Sequence, residues 1–281
     1  MSAGRGDAAP VDPRALLRKH GLVAKRGFSQ NFLVNRGAVA RIAELAAEPP
    51  TRRVIEIGPG LGTLTAELLS RGVSVVAVER DPEMCAVLEA ELGSHPAFEL
   101  VQADALEFDY AERLRAGPAS ICGNLPYSIT GGLLRRFSEL EVPGLRVVVM
   151  LQLEVAQRIV ATPTDRRRGA LTVLLDARFE SRLALRLSPG SFHPKPKVAS
   201  AVVVMTRRSE PLTAGVDPRV FDTAVKAAFS TRRKTLRNAL AGGLGVGTER
   251  AEALCRSAGI DPGVRAERLD TAAFVALAAA L

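Results

Sequence analysis

The stretch Gly123-Asn124-Leu125-Pro126-Tyr127 gathers, within one short loop, groups suited to holding an exocyclic amino group. The Asn124 side-chain carbonyl and the main-chain carbonyl of Leu125 offer two acceptors for its two hydrogens. Pro126 fixes φ and stiffens the loop so that both oxygens point one way. Tyr127 presents a flat π-face, and stacking a base on such a face contributes about 1–3 kcal/mol. Together these residues describe a clamp for an aminopurine or aminopyrimidine; the alternative is an ordinary turn with a half-buried Tyr.

A second group lies upstream. Glu56-Ile57-Gly58-Pro59-Gly60-Leu61-Gly62-Thr63-Leu64 reads as a strand end, a glycine turn and a helix start, where backbone N–H groups can approach a ligand closely. The spacing is G-x-G-x-G, with Thr63 where a dinucleotide fingerprint carries its last glycine, which argues against a nicotinamide cofactor. Glu79 ends the next strand, about 20 positions on, and is placed to accept hydrogen bonds from ribose hydroxyls; otherwise it is a solvated strand-end carboxylate. Asp104 ends the third strand and could accept from an adenine amino group or cap a helix.

Two further segments could touch a ligand. Phe192-His193-Pro194-Lys195-Pro196-Lys197 is a stiff cationic loop in which Phe192 is expected as the second face of a base sandwich opposite Tyr127, or else tucked into the core. Lys25-Arg26-Gly27-Phe28-Ser29-Gln30-Asn31-Phe32-Leu33 could lie over a ligand, run along a nucleic-acid backbone, or form a solvated arm packed through its Phe residues.

The elements that must position these groups follow from periodicity. Strands are expected at Arg53 to Ile57, Val73 to Val78, Phe98 to Gln102, Ala119 to Cys122 and Val147 to Leu151, with Phe179 to Leu187 and Ala201 to Met205 as a closing pair. A short basic helix from Pro13 to about His20 follows a Gly, Ala, Asp and Pro-rich start expected to be disordered. Asn35 should cap a helix reaching about Ala47, and further helices are expected at Ile129 to Leu140 and Glu154 to Ala161. From about Arg207 four helices are expected: Asp217 to Phe229, Arg232 to Ala241, Thr248 to Ala258 and Thr271 to Leu281. The second carries Arg232, Arg233, Lys234 and Arg237, with Arg233, Lys234 and Arg237 expected on one side as a cationic ridge. Arg166-Arg167-Arg168 is a basic run that would suit a solvated face or a phosphate backbone.

Charge supports a polyanionic partner. Across 281 residues, 38 Lys and Arg oppose 30 Asp and Glu, a formal charge of +8, and such an excess favours salt-dependent contact with phosphates. The three cysteines, Cys85, Cys122 and Cys255, and the isolated histidines His20, His95 and His193 lack metal or disulfide spacing, so neither is expected. No apolar run reaches the roughly 20 residues of a membrane span and the N-terminus lacks an apolar signal core; the expected compartment is the cytosol.

The sequence closely resembles the bacterial 16S ribosomal RNA adenine N6,N6-dimethyltransferases of the kasugamycin-sensitivity type. Nearly the whole chain takes part: Phe28 to Leu33, Glu56 to Gly62, Glu79, Asp104, Gly123 to Tyr127, Leu151 to Ala156, Phe192 to Ser200 and Phe229 to Asn238. The resemblance implies an α/β fold, a Rossmann-like S-adenosylmethionine-dependent domain with a seven-stranded mixed sheet, followed by a small all-helical C-terminal domain. Its domains would be a basic arm over residues 1–30, a catalytic domain over 31–207 and a helical RNA-binding domain over 208–281. Cofactor positions would fall on Gln30, Asn31, Leu33, Gly58, Gly60, Glu79, Asp104 and Asn124; catalysis on Asn124, Leu125, Pro126, Tyr127 and Phe192; RNA contacts on Arg232, Arg233, Lys234, Arg237, Lys195 and Lys197.

The implied reaction uses S-adenosyl-L-methionine, yields S-adenosyl-L-homocysteine and needs no metal. The implied partner is 16S rRNA in an immature small ribosomal subunit, engaged by a monomer. Ser29, Ser128 and Ala199 depart from the family's usual Gly, Asn and Asp. Left open are a macrolide-resistance type acting on large-subunit rRNA, against which the helical tail argues, and a non-catalytic role in ribosome assembly.

Overall fold

The computed structural model describes residues 12–25, 30–115, 117–163 and 165–281. The expected disordered start, and Phe28 with the Ser29 departure, lie outside the described residues. The strands are β1 (Phe32–Leu33), β2 (Arg53–Ile57), β3 (Ser74–Glu79), β4 (Phe98–Gln102), β5 (Ala119–Asn124), β6 (Arg146–Gln152), β7 (Phe179–Leu187), β8 (Phe192–His193) and β9 (Ser200–Arg207). The helices are α1 (Pro13–Lys19), α2 (Arg36–Ala46), α3 (Thr63–Ser70), α4 (Pro82–Leu92), α5 (Tyr110–Leu114), α6 (Thr130–Glu139), α7 (Leu153–Ile159), α8 (Ala170–Asp176), α9 (Pro218–Ala228), α10 (Leu236–Leu244), α11 (Thr248–Ser257) and α12 (Thr271–Ala279).

Seven strands form a mixed sheet in the order β4-β3-β2-β5-β6-β9-β7. The first five are parallel. In the inner strands apolar residues run nearly continuously because both faces are covered; in β6, Val147 to Leu151 are all buried, whereas the edge strand β4 buries none. The chain leaves β2 toward β3 and β4, then returns to place β5 on the other side of β2. That reversal opens a crevice at the carboxyl ends of β2 and β5, where ligands of such sheets collect.

The β2–β5 register sets how closely the two strand ends approach. Ile57 lies opposite Gly123, and a Cβ on Gly123, whose φ is +154°, would fall 2.2 Å from the Ile57 carbonyl oxygen. No side chain fits there, so glycine is required immediately before Asn124 by main-chain contact.

Packing divides the chain into two compact units. The first comprises residues 1–136, 140–153 and 183–204; the second comprises 137–139, 154–182 and 205–281, thus taking in α8 and most of α7 besides the tail. The core of the second unit includes Phe221, Leu236, Leu240, Leu254, Phe274 and Leu277, with Phe229 stacked on Phe274 at 5.6 Å between ring centres.

One expectation in this unit is corrected. The helix expected from Arg232 begins at Leu236, and residues 230–235 form turns. The cause is tertiary: the Leu236 and Arg237 N–H groups donate to the Val264 and Pro262 carbonyls at 2.7 and 3.2 Å, so a distant loop sets the helix start. Arg233, Lys234 and Arg237 therefore do not share one helical face.

Gly123→Ala is expected to destabilise the protein by about 1–3 kcal/mol, the cost typical of overpacking a filled site. Thermal unfolding would show a lowered midpoint, and an unchanged midpoint would contradict the β2–β5 geometry.

Candidate active site

β5 delivers the Asn-Leu-Pro-Tyr loop into the crevice. The Leu125 N–H donates to the Met150 carbonyl at 3.1 Å, and the Thr130 hydroxyl and Ile129 N–H donate to the Pro126 carbonyl at 3.0 and 3.2 Å. The loop is thereby pinned to β6 on one side and to the start of α6 on the other. The Asn124 amide nitrogen, Nδ2, donates to the main-chain carbonyl of Asn31 at 3.1 Å. That bond fixes the amide plane and leaves Oδ1 as an acceptor with no partner among the described residues.

A cavity of about 210 Å³ lies against this loop, lined by Asn124, Leu125, Pro126 and Tyr127 together with Gln30, Asn31, Leu33, Gly58, Gly60, Glu79 and Asp104. The structure thus gathers at one site every residue expected to hold the cofactor and four of the five expected to act on the base.

The glycine turn forms one wall. Gly58 and Gly60 have φ of +62° and +56°, a left-handed conformation that side chains disfavour. A Cβ on Gly60 would also press on the Phe32 ring at 3.0 Å.

Glu79 is 8% exposed and takes three main-chain donors, which leaves Oε2 with acceptor capacity. Its Oε1 accepts from the Arg80 and Asp81 N–H groups at 2.8 and 2.9 Å, and its Oε2 from the Gly60 N–H at 3.1 Å. Burial pushes its pKa above the usual carboxylate range, opposed by those three hydrogen bonds. Asp104 accepts from the Leu106 N–H at 2.8 Å and pairs with Arg80 at 3.1 Å. It organises a turn, not the helix start considered from sequence, since the next helix is capped by Asp109, and its residue lines the cavity.

Gln30 and Asn31 are held from the opposite side. Gln30 donates to the Asp81 carboxylate at 2.8 Å and accepts from the Lys25 N–H at 2.8 Å. Asp81 is 1% exposed and also pairs with the Lys25 ammonium at 3.2 Å.

Phe192 requires a correction. It pairs with Leu33 in the two-stranded β1–β8 sheet, is 2% exposed and packs in the core beside Leu187, Val202 and Val204. It does not line the cavity, so the expected second face of a base sandwich is absent from this conformation. Lys195 and Lys197 are exposed beyond it. Arg232, Arg233 and Lys234 are exposed, whereas Arg237 is paired at 3.1 Å with Glu252, a carboxylate it shares with Arg256.

Sequence reasoning gave no role to two residues of the cavity wall. The Thr63 hydroxyl is buried without a hydrogen-bond partner while its residue lines the cavity. Glu56 is 1% exposed, accepts from the Thr65 hydroxyl at 2.7 Å, and has its pKa raised to about 7, chiefly by burial. A carboxylate in the apolar run of β2 was the visible signal for the second; Thr63 was visible only as the residue in place of a dinucleotide fingerprint's last glycine.

Comparison with known proteins decides the family. The family described as "Ribosomal RNA adenine dimethylase" matches residues 21–281. The chain belongs to that family. A protein of Anaeromyxobacter sp. (strain K) named "Ribosomal RNA small subunit methyltransferase A" is 43% identical over 275 residues, covering 94% of this chain and 96% of the relative. One of the same name from Myxococcus xanthus is 42% identical over 273 residues, covering 96% and 95%. Among solved structures, the 23S rRNA methyltransferase ErmE has a TM-score of 0.70 at 31% identity, covering 89% of this chain and 99% of that one. A dimethyladenosine transferase from Plasmodium falciparum shares the fold, with a TM-score of 0.73 at 22% identity, covering 88% and 95%.

As a ribosomal RNA adenine dimethylase the protein is an S-adenosylmethionine-dependent enzyme, and the cavity fits that cofactor. The orphaned Thr63 hydroxyl, the left-handed glycine turn and the cavity-lining carboxylates Glu79 and Asp104 supply donors and acceptors for a polar, partly cationic molecule. Among the described residues, no cluster of three His, Cys, Asp or Glu could hold a metal ion.

The raised Glu56 pKa carries a sign. A carboxyl that ionises at about 7 when folded, against about 4.3 when unfolded, favours the fold at low pH. That contribution is complete below the unfolded value and is lost as pH rises through 7. Glu56→Gln is expected to flatten the loss of stability between about pH 4.5 and 8, a difference on the order of 3 kcal/mol. Chemical unfolding of the cofactor-free protein at the two pH values checks it; identical pH dependence in wild type and variant would refute it.

Proposed function

We propose that this dimethylase acts on 16S rRNA, methylating two adjacent adenosines in the loop of the 3′-terminal hairpin, each twice, within an immature small subunit and as a monomer. The names of the 42–43% identical relatives support the small subunit as target. One observation carries the chemistry: the Asn124 amide is anchored through Nδ2 to the Asn31 carbonyl, which leaves Oδ1 as its acceptor, and Asn124 and Leu125 both line the cavity.

The adenine amino nitrogen is a poor nucleophile because its lone pair is delocalised into the ring. Asn124 Oδ1 and the Leu125 carbonyl accept its two hydrogens, favour a pyramidal nitrogen and direct the lone pair toward the cavity. When bound, S-adenosylmethionine supplies an electrophilic methyl carbon on a sulfonium. Gln30, Asn31, Leu33, the glycine turn, Glu79 and Asp104 would hold it. Catalysis by the protein is then positioning and electrostatic preorganisation.

Pro126 sets the angle of the loop. Tyr127, half exposed at the cavity, stacks on the unstacked base and offsets part of the few kcal/mol that extrusion costs. Exposed Lys195, Lys197, Arg232, Arg233 and Lys234 contact RNA phosphates. The resemblance to the 23S enzyme ErmE at 31% identity favours large-subunit rRNA as the second reading.

Asn124→Ala is expected to lower methyl transfer at least about 100-fold, the scale for losing a preorganised polar contact, while S-adenosylhomocysteine binding by calorimetry stays measurable. Undiminished turnover would remove Asn124 from the mechanism. The substrate assignment is tested with radiolabelled cofactor on unmethylated small and large subunits. Label should enter small-subunit RNA as dimethyladenosine by mass spectrometry, and label confined to large-subunit RNA would establish the second reading.

A further inference from the structure

The run Arg166-Arg167-Arg168 has no place in the active site, and its three guanidinium groups meet three different fates within the second unit. Arg168 is 3% exposed. It donates to the Leu269 carbonyl at 3.1 Å, the Ala161 carbonyl at 2.9 Å and the Thr271 hydroxyl at 3.1 Å. Arg167 is exposed but forks onto Asp165, with Nε–Oδ1 at 3.0 Å and Nη2–Oδ2 at 2.7 Å, so its charge is locally compensated. Arg166 is exposed, and its side chain has no partner among the described residues.

What lies beside Arg166 is decided by its main chain. Its carbonyl accepts from the Arg232 guanidinium, which joins the loop at 165–168 to the turn at 231–235. Arg233 and Lys234 in that turn are exposed and carry no carboxylate partner among the described residues. Elsewhere in the same unit some arginines meet acids, Arg158 with Glu154, Arg178 with Asp222 and Arg208 with Glu180, and others, Arg182, Arg219 and Arg250, are exposed singly. Here a hydrogen bond between two basic segments holds uncompensated cations together. Such a grouping repels itself, and a polyanion relieves the repulsion on binding.

We propose that Arg166 forms one phosphate-binding surface for RNA with Arg233 and Lys234, and that buried Arg168 is the positioning residue that holds the Arg166 loop in place. The occupant is the RNA sugar–phosphate backbone. Arg168 contacts no phosphate and acts through the loop it anchors. The inference rests on the RNA-directed function proposed above and adds a segment far in sequence from the Arg232–Lys234 turn.

The test uses the full chain and unmethylated small ribosomal subunits, with affinity measured from about 50 to 200 mM KCl at fixed magnesium. Arg166→Ala should weaken binding and reduce the slope of log affinity against log salt by about one. Arg168→Met should raise KM for the RNA more than it lowers kcat, with S-adenosylhomocysteine affinity unaltered and folding confirmed by circular dichroism. Arg168→Lys should recover part of the RNA affinity. The combined Arg232→Ala, Arg233→Ala, Lys234→Ala variant is the control. If that variant loses salt dependence while Arg166→Ala keeps the wild-type slope, the inference is overturned and the RNA function stands. If wild type itself shows no salt-dependent RNA binding, the proposed function fails. Should Arg168→Met not fold, the Arg166→Ala slope alone decides.

Discussion

The hydrogen bond from Asn124 Nδ2 to the Asn31 carbonyl is the interaction on which the site depends. A primary amide is a donor on one side and an acceptor on the other, and without this bond its rotation would present either to the cavity. Net of solvent exchange such a bond contributes only about 1 kcal/mol. Its value is orientational: Asn31, which lines the cavity, also dictates which atom of the Asn124 amide is left as an acceptor.

That arrangement requires β2 and β5 to end side by side, which the Gly123 contact with Ile57 enforces. The glycine turn leaves β2 and the Asn-Leu-Pro-Tyr loop leaves β5, so the two halves of the chemistry emerge from neighbouring strand ends. A side chain at residue 123 would wedge them apart.

Much of this was legible in sequence because parallel strands buried on both faces are written as continuous apolar runs. Val147 to Leu151 of β6 is such a run, the edge strand Phe98–Gln102 also falls on the expected residues though none of it is buried, and the glycine turn, Glu79, Asp104 and Asn124 follow as strand-end groups. What was not legible depends on contacts between distant segments. The start of α10 is set by carbonyls at 262 and 264, which no local pattern encodes. Phe192 lies in a two-residue strand paired with Leu33, too short to show a period, so its burial could not be told from exposure. Arg237 lost its expected place in a cationic ridge because the helix starts only at Leu236, and its guanidinium shares the Glu252 carboxylate with Arg256.

The deeper organisation of the cavity is electrostatic, and its pivot is a residue that no local pattern marked. Asp81 caps α4 through the Glu83 N–H at 3.1 Å, receives Gln30 and Lys25, and donates its own N–H to Glu79. Glu79 in turn holds the Gly60 N–H. A continuous path of hydrogen bonds and one peptide link therefore runs from the glycine turn through Glu79, Asp81, Gln30 and Asn31 to the Asn124 amide. Buried polar chains of this kind strengthen cooperatively in low dielectric, and a gap in one is costly because the orphaned group has no water to turn to. Two carboxylates sit nearly sequestered along this path, at residues 79 and 81. The bonds that compensate them tie the glycine turn, through Gln30 and Asn31, to the Asn124 amide, so displacing one disturbs the hydrogen bonds of the next.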